Sequence, residues 1–282
     1  KKYLSGFITK SGHMKMGDTM IKKKSDRSTI LLFLLGIALI AIALAMLVPN
    51  LLNYKKSNDT YEALKETYVS QNEQADKEEN VADTGEDDSW YTDVDVQLEK
   101  LQEINPDIIG WILFDKLDQI SYPVLYSGDD EKYLRTDIYG NQTIAGCIFM
   151  EGMNTPDFWD YHTILYGHNM KNLSMFGSLK KYKTEDFYKD HQFFTIYTTE
   201  MAYRYQIFAY YDVPETDAVY TVGFAPDDTF QKFIDNMLQK SYDDTGVKVT
   251  KDDHIMTLST CSTTGNRFVV HAVRIGEHAL EK

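Results

Sequence analysis

The hydrophobic positions of this 282-residue chain fall into three stretches with different patterns. Residues 30–48 form an apolar run of nineteen residues without a charged side chain. As a helix rising about 1.5 Å per residue, this run would cross a hydrocarbon core of roughly 30 Å. Residues 49–97 are polar and acidic, with few large apolar side chains. From residue 98 onward, short apolar runs alternate with turn residues, which predicts a folded domain rich in strands.

Within this last stretch, two kinds of periodicity predict different elements. Residues 96–104 have helical apolar spacing that stops before Asn105 and Pro106. Runs rich in β-branched and aromatic residues predict strands at 108–114, 121–126, 145–150, 163–166, 193–198 and 201–211. Many short strands at close spacing indicate a mainly β fold, either a closed barrel or a sandwich.

A second helix is predicted over residues 226–242. Asp227 or Asp228 can cap its start, and its apolar residues recur at intervals of three and four. These residues are Phe230, Phe233, Ile234, Met237 and Leu238. The helix would interrupt the strands just before a final hairpin, formed by residues 255–261 and 268–273.

The charges flank the apolar run unequally. Residues 1–29 carry eight Lys or Arg against two Asp, whereas residues 57–97 carry thirteen Asp or Glu against two Lys. The positive flank predicts that residues 1–29 stay in the cytoplasm and that residues 30–48 are a single-pass signal anchor. A buried helix would keep a polar stripe, and a cleaved signal peptide usually has a shorter apolar region. Residues 1–13, which include what looks like a cloning scar, are left out of any functional conclusion.

Everything after the anchor is then expected outside the cell. The acidic stretch 49–97 cannot bury enough apolar surface to offset its ordering entropy, so it predicts an extracellular stalk holding a domain at 98–282. A calcium-binding loop is the alternative for this stretch, but the required alternation of ligands with a glycine turn is absent. The net charge of −14 argues against a nucleic acid partner.

The final hairpin brings together groups that can perform chemistry. Cys261 ends its first strand, Gly265 and Asn266 allow a tight turn, and Arg267 begins the second strand. A thiolate is a strong nucleophile once a neighbouring base or cation favours its ionised form, and a guanidinium can hold a developing oxyanion. His168, just after the predicted strand 163–166, can supply the acid and base.

Two structural alternatives compete with this interpretation. The two cysteines of an exported domain, Cys147 and Cys261, could form a disulfide, although Cys147 lies in an apolar strand typical of a buried thiol. A zinc site could use His162, His168 and His191, but their spacing matches no recognised ligand pattern. We therefore expect no metal and no cofactor.

Several segments resemble the active-site segments of sortases. The sequence Thr-Leu-Ser-Thr-Cys at 257–261, followed by 267–270, resembles their cysteine hairpin, and residues 163–170 resemble their histidine segment, which 174–177 continue. Further matches to the opening strands are at residues 105–112, 122–124 and 146–150.

The resemblance runs from about residue 98 to 275, and the predicted helix before the cysteine strand points to class B. It implies a membrane-anchored cysteine transpeptidase of Gram-positive bacteria, built as an eight-stranded sortase barrel with an N-terminal helix. Such an enzyme cleaves a C-terminal sorting signal after Thr, through a thioester. It passes the product to an amine of a peptidoglycan precursor or of a pilin lysine.

By resemblance, Cys261 would be the nucleophile, His168 the general acid and base, and Arg267 the stabiliser of the oxyanion. Arg267 follows the cysteine more closely than is usual in class B, which predicts a narrower groove wall. Arg274 is the alternative cation, although strict alternation places it on the opposite face of the strand.

Leu134, Tyr220 and Ser259 match positions that line the signal groove. Each also has a simpler interpretation: Leu134 as a core residue, Tyr220 as a surface aromatic, and Ser259 as a partner for the strand edge. Two other functions remain open on the sequence. One is a hydrolytic cysteine peptidase, and the other is a surface adhesion domain stapled by a disulfide.

Overall fold

The computed structural model describes residues 27–71, 89–92, 94–262 and 264–280. The residues group into two compact units, with the division between Pro49 and Asn50. The basic segment 1–26 and the centre of the predicted stalk, 72–88, lie outside the described residues, so the predictions for them stay predictions.

Helix α1, Arg27–Tyr68, contains the apolar run and has 42 residues. In the described part of the chain it is the one helix with the length and apolar composition to cross a membrane. The predicted anchor covers residues 30–48, whereas the helix continues past residue 48 with Pro49 inside it. A proline removes one backbone hydrogen bond, and the helix beyond it is stabilised instead by packing.

The end of α1 is packed against the folded domain, whereas the predicted stalk would be surrounded by solvent. Tyr61 and Leu64, in the last turns of α1, are buried in the core of the second unit. Strands β1, Val69–Gln71, and β2, Val94–Val96, then pair in an antiparallel ribbon. Two buried apolar side chains are enough to dock a segment that acidic composition alone assigned to solvent.

Eight further strands close into a barrel, which confirms the predicted architecture. They are β3 Ile108–Phe114, β4 Ser121–Leu125, β5 Ile148–Met150, β6 His162–Tyr166, β7 Phe193–Tyr197, β8 Met201–Pro214, β9 Ile255–Cys261 and β10 Asn266–Ala279. Around the barrel the order is β10, β8, β7, β3, β4, β5, β6 and β9. The pairs β4–β5 and β6–β9 are parallel, and the other neighbours are antiparallel.

β5 is shorter than the run 145–150 predicted. Gly146 has a φ of +57°, outside the β region, so the strand begins only at Ile148. A side chain at this glycine would also collide with the carbonyl oxygens of Tyr133 and Leu134, 2.5 and 2.6 Å from an ideal Cβ. The backbone therefore turns at Gly146, where the carbonyl oxygens of Tyr133 and Leu134 come so close that only glycine fits.

The remaining helices lie outside the barrel wall. They are α2 Ser89–Thr92, α3 Leu98–Ile104, α4 Phe187–Asp190 and α5 Asp228–Lys240, and short 3₁₀ turns occur at Lys132–Leu134, Phe176–Lys183 and Ala218–Tyr220. The Asp227 carboxylate caps α5 by accepting hydrogen bonds from the backbone of Thr229 and Phe230, as predicted. The buried face of α5 packs on an apolar cluster from β8, β9 and β10. This helix therefore packs mainly against β8, in a cluster to which the cysteine strand contributes Ile255.

Candidate active site

The register of three neighbouring strands brings the candidate catalytic residues together. In the parallel pair, Tyr166 of β6 lies opposite Ser259 of β9, and the Gly167 amide donates to the Ser259 carbonyl over 3.1 Å. His168 and Cys261 each follow two residues beyond this pair. In the antiparallel pair β9–β10, Arg267 lies directly opposite Cys261. Since adjacent strands lie about 4.8 Å apart, the backbones of these three residues meet at one end of the barrel.

An open cavity of about 210 Å³ lies at this end. Of the predicted site residues, Leu134, His168, Ser259 and Arg267 line it. Leu134 is 40% exposed, so it is a groove residue and not a core residue. The other lining residues are Asp130, Phe149, Tyr166, Gly167 and Thr260.

His168 is half-buried at the edge of the cavity. Its Nε2 lies 2.7 Å from the Leu134 carbonyl oxygen, and because a carbonyl only accepts, Nε2 carries the proton. In the neutral ring Nδ1 then holds the lone pair. Burial lowers the pKa of this imidazole, and the charge of Arg135 lowers it further, against the opposing effect of the Leu134 carbonyl. A ring whose basic form is favoured near neutral pH can both accept and return a proton.

Arg267 also lines the cavity, and two contacts hold its guanidinium. Its Nη2 forms an ion pair of 2.9 Å with Glu215, and Nη1 donates to the Asn266 carbonyl over 3.3 Å. The Arg267 side chain is still 30% exposed. Arg274 occupies a different environment, since it is 6% exposed and donates to the Tyr205 hydroxyl and the Phe158 carbonyl. The cation at the groove is therefore Arg267.

The chain just after Cys261 is held by a polar network. The Ser262 amide donates to the Asn266 carbonyl over 3.1 Å, which closes the short hairpin. Lys183 donates to the Ser262 hydroxyl over 3.1 Å and forms an ion pair of 2.5 Å with Asp212 on β8. These contacts fix the end of β9 and with it the position opposite Arg267.

The sequence did not single out the groove wall formed by Tyr166 and the acidic side chains near it. The Tyr166 hydroxyl donates to Glu151 over 2.6 Å, and Asp130 lines the cavity beside them. Burial raises the pKa of the Glu151 carboxyl, and the Asp130 charge adds to this effect. The available signal was local, because Tyr166 ends β6 and comes two residues before His168.

Tyr220 lies behind the residues that line the groove and contacts two of them. Its hydroxyl lies 3.0 Å from the Ser259 hydroxyl, and its ring stacks on Tyr166 with centroids 6.3 Å apart. Ser259 is 2% exposed, so the hydrogen bond between the two hydroxyls is sheltered from water. Tyr220 therefore contacts residues of the cavity wall, although it does not line the cavity itself.

The alternative sites predicted from the sequence are not assembled. His162 lies in a buried hydrogen-bond chain, His168 lies at the groove, and His191 stacks on Phe187. Among the described residues, no group of His, Cys, Asp and Glu is arranged to hold a metal ion. Cys147 is a free, buried thiol, so the predicted alternative of a disulfide with Cys261 is wrong.

Comparisons with known proteins agree on one family. The Sortase domain family model matches residues 114–275. Sortase B of Listeria monocytogenes is 39% identical over 168 residues, which are 59% of this chain and 68% of the relative. Sortase B of Staphylococcus aureus is 36% identical over 180 residues, which are 62% of this chain and 73% of the relative.

Solved structures give the same result for the fold. A Staphylococcus aureus sortase B–substrate complex superimposes with a TM-score of 0.66 at 32% identity, covering 79% of this chain and 98% of that one. A crystal structure of sortase B from B. anthracis gives the same TM-score, identity and coverage.

Proposed function

Since the chain belongs to the sortase family and is a sortase-type cysteine transpeptidase, we propose that it cleaves a C-terminal sorting signal after a Thr residue. The acyl group would be held as a thioester on Cys261 and transferred to an amine. The observation that carries this proposal is that the backbones of His168, Cys261 and Arg267 meet at the ends of β6, β9 and β10, beside the cavity that His168 and Arg267 line.

The first half-reaction follows from the chemistry of these three groups. The Cys261 thiolate attacks the carbonyl carbon of the signal Thr, and the oxygen gains a negative charge in the tetrahedral intermediate. Arg267 would stabilise that charge through its guanidinium N–H groups, and its contacts with Glu215 and the Asn266 carbonyl support this role because they limit its orientation. His168, whose ring takes up the proton that the Cys261 thiol loses on ionising, then gives this proton to the departing amine as the C–N bond breaks.

The second half-reaction is the reverse in its proton transfers. An incoming amine attacks the thioester carbon, and His168 accepts the proton that this amine loses. The Leu134 carbonyl occupies Nε2, so Nδ1 is the nitrogen that exchanges protons. Collapse of the intermediate releases the Cys261 thiolate and leaves an amide between the signal Thr and the acceptor amine. No atom beyond the two substrates is consumed.

The groove would bind the signal through Leu134, Ser259 and Tyr220. Leu134 offers an exposed apolar side chain, and Ser259 lines the cavity with its hydroxyl held by the Tyr220 hydroxyl from behind. The short interval between Cys261 and Arg267 brings the two ends of the hairpin close together. We expect this to favour a compact side chain just before the scissile bond.

As a sortase, the chain is a cell-surface enzyme that acts on proteins with sorting signals and on amine acceptors. We further propose that residues 30–48 are a single-pass anchor, with residues 1–29 in the cytoplasm. Residues 49–97 then connect the anchor to a catalytic domain at 98–282. The acceptor amine would belong to a peptidoglycan precursor or to a lysine of a pilin subunit.

The experiment is a screen of pentapeptide signals with the full chain in detergent micelles. Mass spectrometry of the products, with and without an added amine, tests cleavage and transfer separately. We expect cleavage after Thr and a product joined to the amine, and we expect neither with Cys261→Ala. A product that carries only water when amine is present would support the hydrolytic peptidase. Full turnover by Cys261→Ala would refute the thioester.

A further inference from the structure

A buried chain of hydrogen bonds lies behind the groove, between the barrel wall and α5. His162 of β6 contacts the Thr221 carbonyl through Nδ1 and the Thr257 hydroxyl through Nε2, each over 2.7 Å. The Thr257 hydroxyl in turn lies 2.8 Å from Nδ1 of His271 on β10. The side chains of His162, Thr257 and His271 are fully buried. The chain thus links three strands to the loop that follows Tyr220.

The acceptor at one end fixes the direction of every proton in this chain. The Thr221 carbonyl only accepts, so His162 Nδ1 is protonated and its Nε2, in the neutral ring, accepts from the Thr257 hydroxyl. Thr257 then accepts from Nδ1–H of His271. His271 Nε2 is left with a lone pair and has no hydrogen-bond partner among the described residues. Burial lowers the pKa of His162 to about 4, so the ring is neutral at physiological pH.

The hydrogen-bond chain through His162 is connected to the groove through two contacts with β9. Thr221 directly follows Tyr220, whose hydroxyl bonds to Ser259, and Ser259 lies two residues beyond Thr257 on β9. The loop is therefore joined to β9 twice, once through His162 and once through Tyr220. A single hydrogen bond would let the loop pivot about it, whereas two separated bonds oppose rotation as well as separation.

From this geometry we infer that His162 is a positioning residue for the signal groove. It holds the Tyr220 loop against β9, so that the cavity wall at Ser259, which Tyr220 supports from behind, is preformed when the signal binds. The inference rests on the proposed function, because it assumes that this cavity binds the signal. A preformed wall avoids an ordering cost on binding, so its loss raises KM for the signal and leaves kcat nearly unchanged.

Two substitutions at this position separate the two hydrogen bonds. In His162→Asn the amide nitrogen replaces Nδ1 and keeps the bond to Thr221. In His162→Gln the amide lies near the former Nε2, which keeps the contact with Thr257 but frees the loop. Both variants lose the aromatic ring and stay neutral, so each is the control for the other. Tyr220→Phe removes the second attachment of the loop and keeps the ring.

The first readout is hydrogen–deuterium exchange of the full chain in micelles, which requires no turnover. The amides of Val219, Tyr220 and Thr221 are hydrogen-bonded in the 3₁₀ turn and report on the loop. We expect these amides to exchange about tenfold faster in His162→Gln than in the wild type, because the loss of one buried hydrogen bond lowers the opening free energy. His162→Asn should stay within about twofold, since the bond to Thr221 is retained.

The second readout is the steady-state kinetics of the pentapeptide selected in the library screen. We expect His162→Gln and Tyr220→Phe each to raise KM about fivefold with little change in kcat. Their combination should raise KM less than the product of the single effects, because both loosen the same loop. Equal losses in His162→Asn and His162→Gln, with unchanged exchange at 219–221, would overturn the positioning role. If the wild type shows no turnover, the proposed function fails while the exchange result still decides this inference.

Discussion

Acidification should destabilise the barrel through His162, and the size of the effect follows from its burial. The pKa of this imidazole is about 4 in the folded chain, against an ordinary value of 6.5. The folded state stays neutral while the unfolded state gains a proton below 6.5. The contribution of neutral His162 to the unfolding free energy is therefore fully present above pH 6.5 and is lost as the pH falls toward 4. At pH 5 the linkage relation gives a loss of about 2 kcal/mol of unfolding free energy from this residue.

The difference in unfolding free energy between the wild type and His162→Asn isolates the contribution of His162, because the carboxylates that also titrate are present in both proteins. We expect His162→Asn to be less stable than the wild type at pH 7, because a buried ring is lost, and the gap to narrow by about 2 kcal/mol at pH 5. Asp160 and His271, which face His162, and Lys240, which lies near His271, are present in both proteins. Urea unfolding of residues 50–282, the second compact unit, measures both gaps. A gap that does not change between pH 7 and pH 5 would refute this account.

Three further substitutions test how the groove is supported. In urea titrations, Gly146→Ala should lower the unfolding free energy by more than about 2 kcal/mol, because it combines a positive φ with a collision between the new Cβ and the backbone; kcat/KM should fall as well. The control Gly140→Ala has a φ of +81° but open space around it, so it should lower the unfolding free energy by only about 1 kcal/mol. Arg267→Lys should lower kcat/KM for the signal peptide by about 10²–10³, because an ammonium lacks the fork geometry; a rate near that of the wild type would reassign the oxyanion role. Tyr61→Phe should destabilise by about 1 kcal/mol in urea titrations, since its buried hydroxyl donates to the Gly146 carbonyl over 2.7 Å; an unchanged midpoint would show that this bond contributes nothing.

The sequence predicted the barrel well where local pattern and tertiary packing agree. Strand β3 has the bounds that the apolar run 108–114 indicated, and Asp227 caps α5 as its position suggested. The sequence failed where long-range contacts decide the outcome. The acidic surroundings of Tyr61 suggested a solvated stalk, but its ring packs edge-on against Tyr122, with centroids 5.4 Å apart. No local pattern announces a contact between segments so far apart in the chain.

The same division applies to the groove. Composition and motif pointed to His168, Cys261 and Arg267 as candidates, because a nucleophile, a base and a fixed cation are recognisable residue types near strand ends. Only the closed barrel decides that the ends of β6, β9 and β10 coincide, since the parallel pairing of β6 with β9 joins residues distant in sequence.

The hydrogen-bond chain through His162 also depends on the tertiary structure. The sequence around a histidine in a strand does not distinguish a metal ligand, a surface residue and a residue buried among aromatic rings. Its role becomes defined only when burial removes water and leaves the Thr221 carbonyl and the Thr257 hydroxyl as its partners. Sequence determined which groups could react, and tertiary structure decided which of them meet and in which protonation state.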